Sequence, residues 1–310
     1  MKFKTHNLRK IKTGEICWSV LRTFLIIGIA FLILYPIFVK LMTSFKSSAD
    51  MYDPTVYFLP KNFTLDNFKA VWIAVDYPLA LLKTGAYVLL LSGLQLISCT
   101  LVAYGLARFD FPGKKILFAL VIFTLVIPPQ MLLLPLYLRF RFFNPLQLFT
   151  FSGTLSGISL TDTVVPFVLL SALAVAFKNG LYIFMLRQHF KNVPQVLEEA
   201  AYIDGCGVYS TFLRIIVPGA KTMLATVFLF SFVWTWNDYY YTQILAPGLS
   251  TLNNTLMSLN FSNLSSLNEN LQESMLSAPK FLLLILPLVI LYLFTQKLFT
   301  ESIQKSGIVG

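Results

Sequence analysis

Six stretches of this chain are apolar over about the 20 residues that a helix needs to cross a bilayer core: Thr23 to Met42, Leu79 to Ala107, Ile116 to Tyr137, Val164 to Leu186, Thr222 to Tyr241 and Pro279 to Phe299. Inside hydrocarbon every backbone N–H and C=O must find its partner within the protein, which leaves helices as the natural form for runs of this length. Composition agrees: 56% of the 310 residues are hydrophobic and 12% charged, where soluble chains carry roughly 25% charge. The expected fold is an all-α membrane protein with six transmembrane helices. The second and third runs carry Gly, Pro, Ser and Gln at helical spacing, so some of these helices are expected to line something polar.

The first run follows a basic segment (Lys2, Lys4, Arg9, Lys10, Lys12) and invites comparison with a secretory signal. It is long for a signal, contains Pro36, and leads into YPIFVKLMTSFKSS rather than a small-residue cleavage site. A retained first helix is the better reading. With the N-terminus inside, the inner segments hold fifteen Lys and Arg and the outer ones eight, although the outer loops contain more residues. Basic residues collect on the cytoplasmic side of membrane proteins, so both termini are expected there. The net charge of +10 then reflects topology and anionic headgroups. No basic-aromatic platform supports nucleic-acid binding.

Chemistry-bearing motifs are sparse. Cys17, Cys99 and Cys206 show no spacing that suggests zinc or a disulfide framework, and His6 and His189 sit in basic interfacial segments. There is no G-x-x-x-x-G-K-[ST], no H-E-x-x-H and no G-x-S-x-G; Gly113-Lys114-Lys115 lacks both the upstream glycine and the following hydroxyl. The chain is expected neither to hydrolyse ATP by itself nor to be an enzyme. A transporter subunit calls for a partner-docking loop and a polar cavity, a channel for self-sufficient conduction, and an intramembrane enzyme for paired catalytic groups inside the spans.

The segment PQVLEEAAYIDGCGVYSTFLRIIVP, Pro194 to Pro218, is polar and helix-forming, and it lies between apolar runs on the side assigned to the cytoplasm. Pro194 suits a first helical position, Glu198 and Glu199 suit the positive end of a helix, and Gly205 suits its left-handed stop. A second helix is expected from Tyr209 to Val217, making a helix, a sharp turn and a helix.

Glu199-Ala200-Ala201, then Gly205, Ile215 and Val217-Pro218 at fixed spacing, resemble the EAA signature of permease subunits of binding-protein-dependent ABC importers. Further stretches resemble the carbohydrate-uptake group, in particular subunits like the shorter maltose-type permease. They are LYPIFVKLMTSFK, LVAYGLARFDFPGKK, IPPQMLLLPLYL, LRQHFKNVPQVLEEAAYIDG, WTWNDYYYTQIL and QKLFTESIQKSGIVG, in order over nearly the whole chain. Val217, where the family usually has Leu, is one departure. An apparent insertion from Arg139 to Ile158 is another, and the tail carries Ser302 where the family tends to glycine.

The resemblance implies an inner-membrane permease subunit in a bacterial cell membrane. Its parts would be a basic cytoplasmic tail (1–22), a six-span domain (23–299) with the coupling loop at 187–221, and a cytoplasmic tail (300–310). Implied partners are a homologous second permease, two ATPase subunits, an extracellular solute-binding protein and membrane lipid, with no nucleic acid. No cofactor is implied for this chain, since ATP and Mg would be held by the ATPase subunits. Glu198, Glu199, Ala200, Ala201, Asp204 and Gly205 would form the ATPase-coupling surface. The implied solute is a sugar or oligosaccharide, with a polyol or sugar phosphate next and a self-sufficient channel as the outlying alternative.

For the substrate pathway the residues themselves suggest Lys178, Asn179, Trp236, Asn237 and Asp238. A charged side chain within hydrocarbon is costly, so Lys178 is expected to face a cavity, to pair with a neighbouring helix or to snorkel. Trp234, Trp236, Tyr239, Tyr240 and Tyr241 fit interfacial anchoring, and equally fit stacking on sugar rings, with Asn237 and Asp238 bonding hydroxyls.

Overall fold

The computed structural model describes residues 13–144, 157–259 and 269–307. Among them no strand forms; there are two isolated antiparallel bridges, Lys46 with Phe63 and Phe143 with Ile158. The rest is helix and turn, in two compact units.

The first unit comprises residues 1–71 and 260–283. Helix α1 (Thr13–Ser44) is apolar on every face and exposed along nearly its whole described length. Past it the backbone folds around buried polar groups. Lys46 Nζ donates to the carbonyls of Val56 and Tyr57 at 3.0 and 2.9 Å, and Asn67 Nδ2 donates to those of Ser44 and Lys46. Between them runs α2 (Ser48–Tyr52), capped by Ser47, whose hydroxyl accepts from Asp50 N. Asp50 in turn accepts from the backbone and side chain of Asn62 at 2.9 and 2.8 Å. The polar loop is thus held by its own side chains, as a buried lysine or aspartate requires.

The second unit, residues 72–259 and 284–310, is organised on one unbroken helix. The short α3 (Asp66–Ala74) leads to α4 (Tyr77–Arg108), which starts with Pro78 in its first turn and stops before the Phe111-Pro112-Gly113 turn, where Gly113 takes φ +84°. At 32 residues it is about 48 Å long. The expected third and fourth spans, by contrast, are interrupted. The expected third span is α5 (Lys114–Val126) and α6 (Pro129–Arg141), bent by 105° at Ile127-Pro128, because the residue before a proline leaves the helical region. The expected fourth is two helices, α7 (Val165–Ala172) and α8 (Asn179–Asn192), parted by residues 173–178 with Ala174 at φ +59°.

The loop helices are α9 (Val196–Ile203), α10 (Val208–Thr211), a π-helical turn (Phe212–Ile216) and α11 (Val217–Gly219). They run into α12 (Lys221–Trp236) through a 77° bend. Next come α13 (Tyr240–Leu245), α14 (Leu252–Ser258) and α15 (Glu269–Gly307). Among the described residues three helices are long and apolar enough to cross a membrane, or up to five if each bent pair is one span. Of the six spans expected from hydropathy, the third and fourth regions are each two helices, parted at Ile127-Pro128 and at residues 173–178. The N-terminal basic tail to Lys12 and residues 145–156 of the apparent insertion lie outside the described residues. The ends of that insertion meet, with Phe143 and Ile158 exchanging backbone hydrogen bonds of 3.0 and 2.9 Å.

Candidate functional site

Two parts of the second unit concentrate function-bearing residues. The first is the loop. Helix α9 ends as its sequence suggests: Gly205 sits at φ +82°, and Cys206 N donates to Ala201 O at 2.9 Å, the bond pattern of a glycine-terminated helix. Pro194 lies two residues ahead of α9 instead of inside it, and the second loop helix is π-wound at its centre, a form that favours functional sites.

One face of α9 is buried. Ala201 is covered, and so is Glu198, whose Oε1 meets Arg108 Nε of α4 at 2.8 Å with side-chain exposures of 10% and 6%. Arg108 Nη2 also donates to Val193 O at 2.7 Å. Around the pair, Tyr104 of α4 packs its ring 4.7 Å from Phe212 and 5.8 Å from Phe190. Removing one member of such a buried pair typically costs about 3–5 kcal/mol, because the other is left charged and unpaired. The opposite face of α9 is open: Glu199, Ala200, Asp204 and Gly205 are exposed, and Ile203 and, beyond the turn, Tyr209 are 86% and 84% exposed. Of the expected coupling surface, then, four residues face outward. Glu198 and Ala201 do not; they hold the helix to α4 and its surroundings.

The second part is a cavity of about 440 Å³, in the size range of small-molecule sites. Helix α4 lines it with Tyr87, Leu91 and Gln95, α7 with Phe167 and Ser171, and the break between α7 and α8 with Phe177 and Lys178. The end of α12 and the turn leading into α13 contribute Trp234, Asn237, Asp238, Tyr239, Tyr240 and Tyr241. Lys178 Nζ stands 4.1 Å from the centre of the Trp234 ring, a cation–π contact, and no carboxylate lies within ion-pair distance of it among the described residues. Phe177 and Tyr241 stack at 4.1 Å. Asp238 accepts from Tyr241 N at 3.1 Å.

Gln95 joins three helices at the cavity wall. Its Nε2 donates to Ser171 Oγ at 3.2 Å and its Oε1 accepts from Ser231 Oγ at 2.8 Å, while Ser98 Oγ donates to Ser171 O at 2.6 Å. The buried Tyr87 hydroxyl has no hydrogen-bond partner among the described residues.

Lys178, Asn237 and Asp238 therefore come together at one cavity, and Asn179 and Trp236 do not join them. Asn179 is fully buried away from the cavity, packed where its carbonyl faces Cys99. Trp236 is 3% exposed and donates its Nε1 to Leu284 O at 3.1 Å. The indole facing the cavity is Trp234, two residues earlier and on another side of the helix. Nothing local in the sequence singles out Arg108, Gln95, Ser171, Ser231 or Tyr87. The spacing of Tyr87, Leu91, Gln95 and Ser98 along one helical face is the available signal for part of that set.

Comparison with known proteins places this geometry. Residues 99–305 match the family model described as binding-protein-dependent transport system inner membrane component. An arabinooligosaccharide transport system permease protein (AraQ) of Halalkalibacterium halodurans is 27% identical over 97% of this chain and 100% of its own length. A melibiose/raffinose/stachyose import permease protein (MelC) of Bacillus subtilis is 27% identical over 89% of this chain and 91% of its own. Among solved structures, a chain of a bacterial ABC transporter involved in import of the acidic polysaccharide alginate superposes with a TM-score of 0.72. The match covers 96% of this chain and 99% of that one at 20% identity, a likeness of fold.

Proposed function

Because the chain belongs to the family of binding-protein-dependent transport system inner membrane components, we propose that it forms one half of the translocation pathway of a sugar or oligosaccharide importer. In this reading it lies in the bacterial cytoplasmic membrane with both termini inside, residues 23–299 forming a six-span domain between the tails 1–22 and 300–310. A second permease completes the pathway, two ATPase subunits bind ATP and Mg, and an external binding protein delivers the solute. The loop 187–221 presents α9 to an ATPase subunit through Glu199, Ala200, Asp204 and Gly205. Its exposed apolar residues, Ile203 and Tyr209, are of the kind that a partner covers.

The observation that carries the sugar reading is the cavity lining. Aromatic faces from Trp234, Tyr239, Tyr240 and Tyr241 stand beside Gln95, Asn237, Asp238 and Lys178, the combination of stacking surface and directional hydrogen bonds that sugar rings and hydroxyls need. The sugars named for the relatives above are consistent with it. A second reading, an anionic sugar, is favoured by Lys178, a cavity cation without a carboxylate partner among the described residues.

Uptake separates these readings. Cells with and without the gene are compared for accumulation of labelled neutral di- and trisaccharides, sugar acids, polyols and sugar phosphates. Loss of ATP-dependent accumulation of one sugar class on deletion is the expected result. Unchanged accumulation of every sugar, with loss of a non-sugar solute, overturns the sugar reading.

A further inference from the structure

The loop is tied covalently to α8 through Val193 to Gln195, and to α12 through the π turn and the bend after α11. Helix α4 has no such link. It nevertheless ends against the loop, and it runs unbroken from there past the cavity wall at Gln95 to Tyr77. Arg108, its last residue, reaches two places at once: Val193 O at the root of the loop, and Glu198 within α9. Thirteen residues earlier, about 20 Å along the same helix, Gln95 holds Ser171 of α7 and Ser231 of α12.

We propose that the Arg108–Glu198 ion pair is the joint through which displacement of the loop helix reaches α4 and, through it, the cavity. Both residues are then positioning residues for transport: neither touches solute or the ATPase. The inference rests on the transporter reading above and adds to it a path that chain connectivity does not supply.

Three physical points carry it. A buried ion pair at 2.8 Å, one member of which also donates to a backbone carbonyl, resists sliding, since parting the charges leaves each one uncompensated in a poorly solvated place. An unbroken helix transmits displacement along its axis; α4 continues past the cavity wall, whereas α8 stops at the break of residues 173–178 and α12 begins only beyond the 77° bend. And Gln95 makes the far end of α4 answerable to two other helices, so a shift of α4 has to rearrange the wall that Lys178, Trp234 and Asp238 complete.

The transporter complex purified through this chain supplies the test, in a background with Cys17, Cys99 and Cys206 replaced by alanine and a reporter Tyr239→Cys at the cavity lip. The reporter's reaction with a polar maleimide is timed with and without MgATP plus vanadate, alongside ATP hydrolysis before vanadate is added. In the otherwise unchanged complex the rate is expected to shift about tenfold as the population moves between two states. Glu198→Gln should abolish that shift while hydrolysis persists, and the swap of Arg108→Glu with Glu198→Arg should restore it. A full shift in Glu198→Gln overturns the joint. If Glu198→Gln does not assemble, the swap decides: assembly with the shift supports the joint, and assembly without it, or no assembly at all, makes the pair merely structural and overturns it. No shift in the unsubstituted reporter complex refutes the transporter reading itself, and the joint with it.

Discussion

The loop helix and the cavity arrange polarity in opposite ways. On α9 Ile203 and Ala200 are turned outward together with Glu199 and Asp204, while the acidic Glu198 is turned inward to Arg108 beside the covered Ala201. At the cavity wall Gln95, Ser98, Ser171 and Ser231 are buried and direct their hydrogen bonds to one another. In the proposed function such a surface acts by being docked. In the proposed function such a wall acts by rearranging.

The contrast breaks first at Gln95. Replacing it with Leu leaves the Ser171 and Ser231 hydroxyls without their Gln95 bonds, a loss of roughly 1–3 kcal/mol. The expected result is a clearly lowered melting temperature of the detergent-solubilised protein. Adding Ser171→Ala and Ser231→Ala should recover much of it, because a site stripped of all partners has no unpaired group. An unchanged melting temperature for Gln95→Leu means the wall is not self-satisfied.

At the loop the matching change is Gly205→Val. A side chain at φ +82° costs roughly 1–2 kcal/mol, which is felt locally because the turn is exposed. Uptake should fall while the amount of protein in the membrane holds. Glu199→Lys, on the open face, should weaken ATPase association and leave stability untouched; normal uptake and normal stimulated hydrolysis remove Glu199 from the docking surface.

Legibility in the sequence divides along the same line. The loop is a run of adjacent residues, so its cap at Gly205 and its first-turn acids can be read locally. Which acid faces inward cannot be read, since that depends on Arg108, ninety positions before Glu198 in the chain. The cavity draws on residues between Tyr87 and Tyr241, and hydropathy registers only that their segments are apolar. Trp234 and Trp236 look alike in sequence, and packing against Leu284 decides which of them is buried. The breaks in the third and fourth spans come from Pro128 and from a turn at Ala174. The proline is visible as a residue, and Lys178-Asn179-Gly180 mark where the fourth region loosens; the turn at Ala174 itself carries no such mark.

Smaller effects sharpen the contrast. Lys178→Met removes a cation–π contact worth about 0.5–2 kcal/mol from a part-exposed wall. Uptake should fall, most for an anionic sugar, with assembly and membrane level unchanged; equal uptake of every sugar tested takes Lys178 out of the pathway.

The smallest effect lies outside both regions. In the polar loop of the first unit Lys61 donates to Asp53 at 2.7 Å, and Thr55 adds two more bonds; the Lys61 bond first, then those from Thr55, hold the Asp53 carboxyl below its ordinary value. A depressed carboxylate contributes stability above its unfolded value of about 3.9, and loses it as pH falls towards the folded value. The small deficit of Asp53→Asn should thus be constant from about pH 8 to pH 5 and shrink only below about pH 4, as read by thermal unfolding. A deficit that changes near neutral pH contradicts this assignment.

The central claim is that the cavity moves solute only when the loop is driven by a partner. Reconstitution tests it most directly: the chain alone, and the complete complex with ATP enclosed on the loop side, are each placed in liposomes and offered labelled oligosaccharide with the binding protein. The account predicts no flux through the chain alone and accumulation by the complex that stops when ATP is withheld. Steady flux through the chain alone, indifferent to ATP, would show a channel and contradict it.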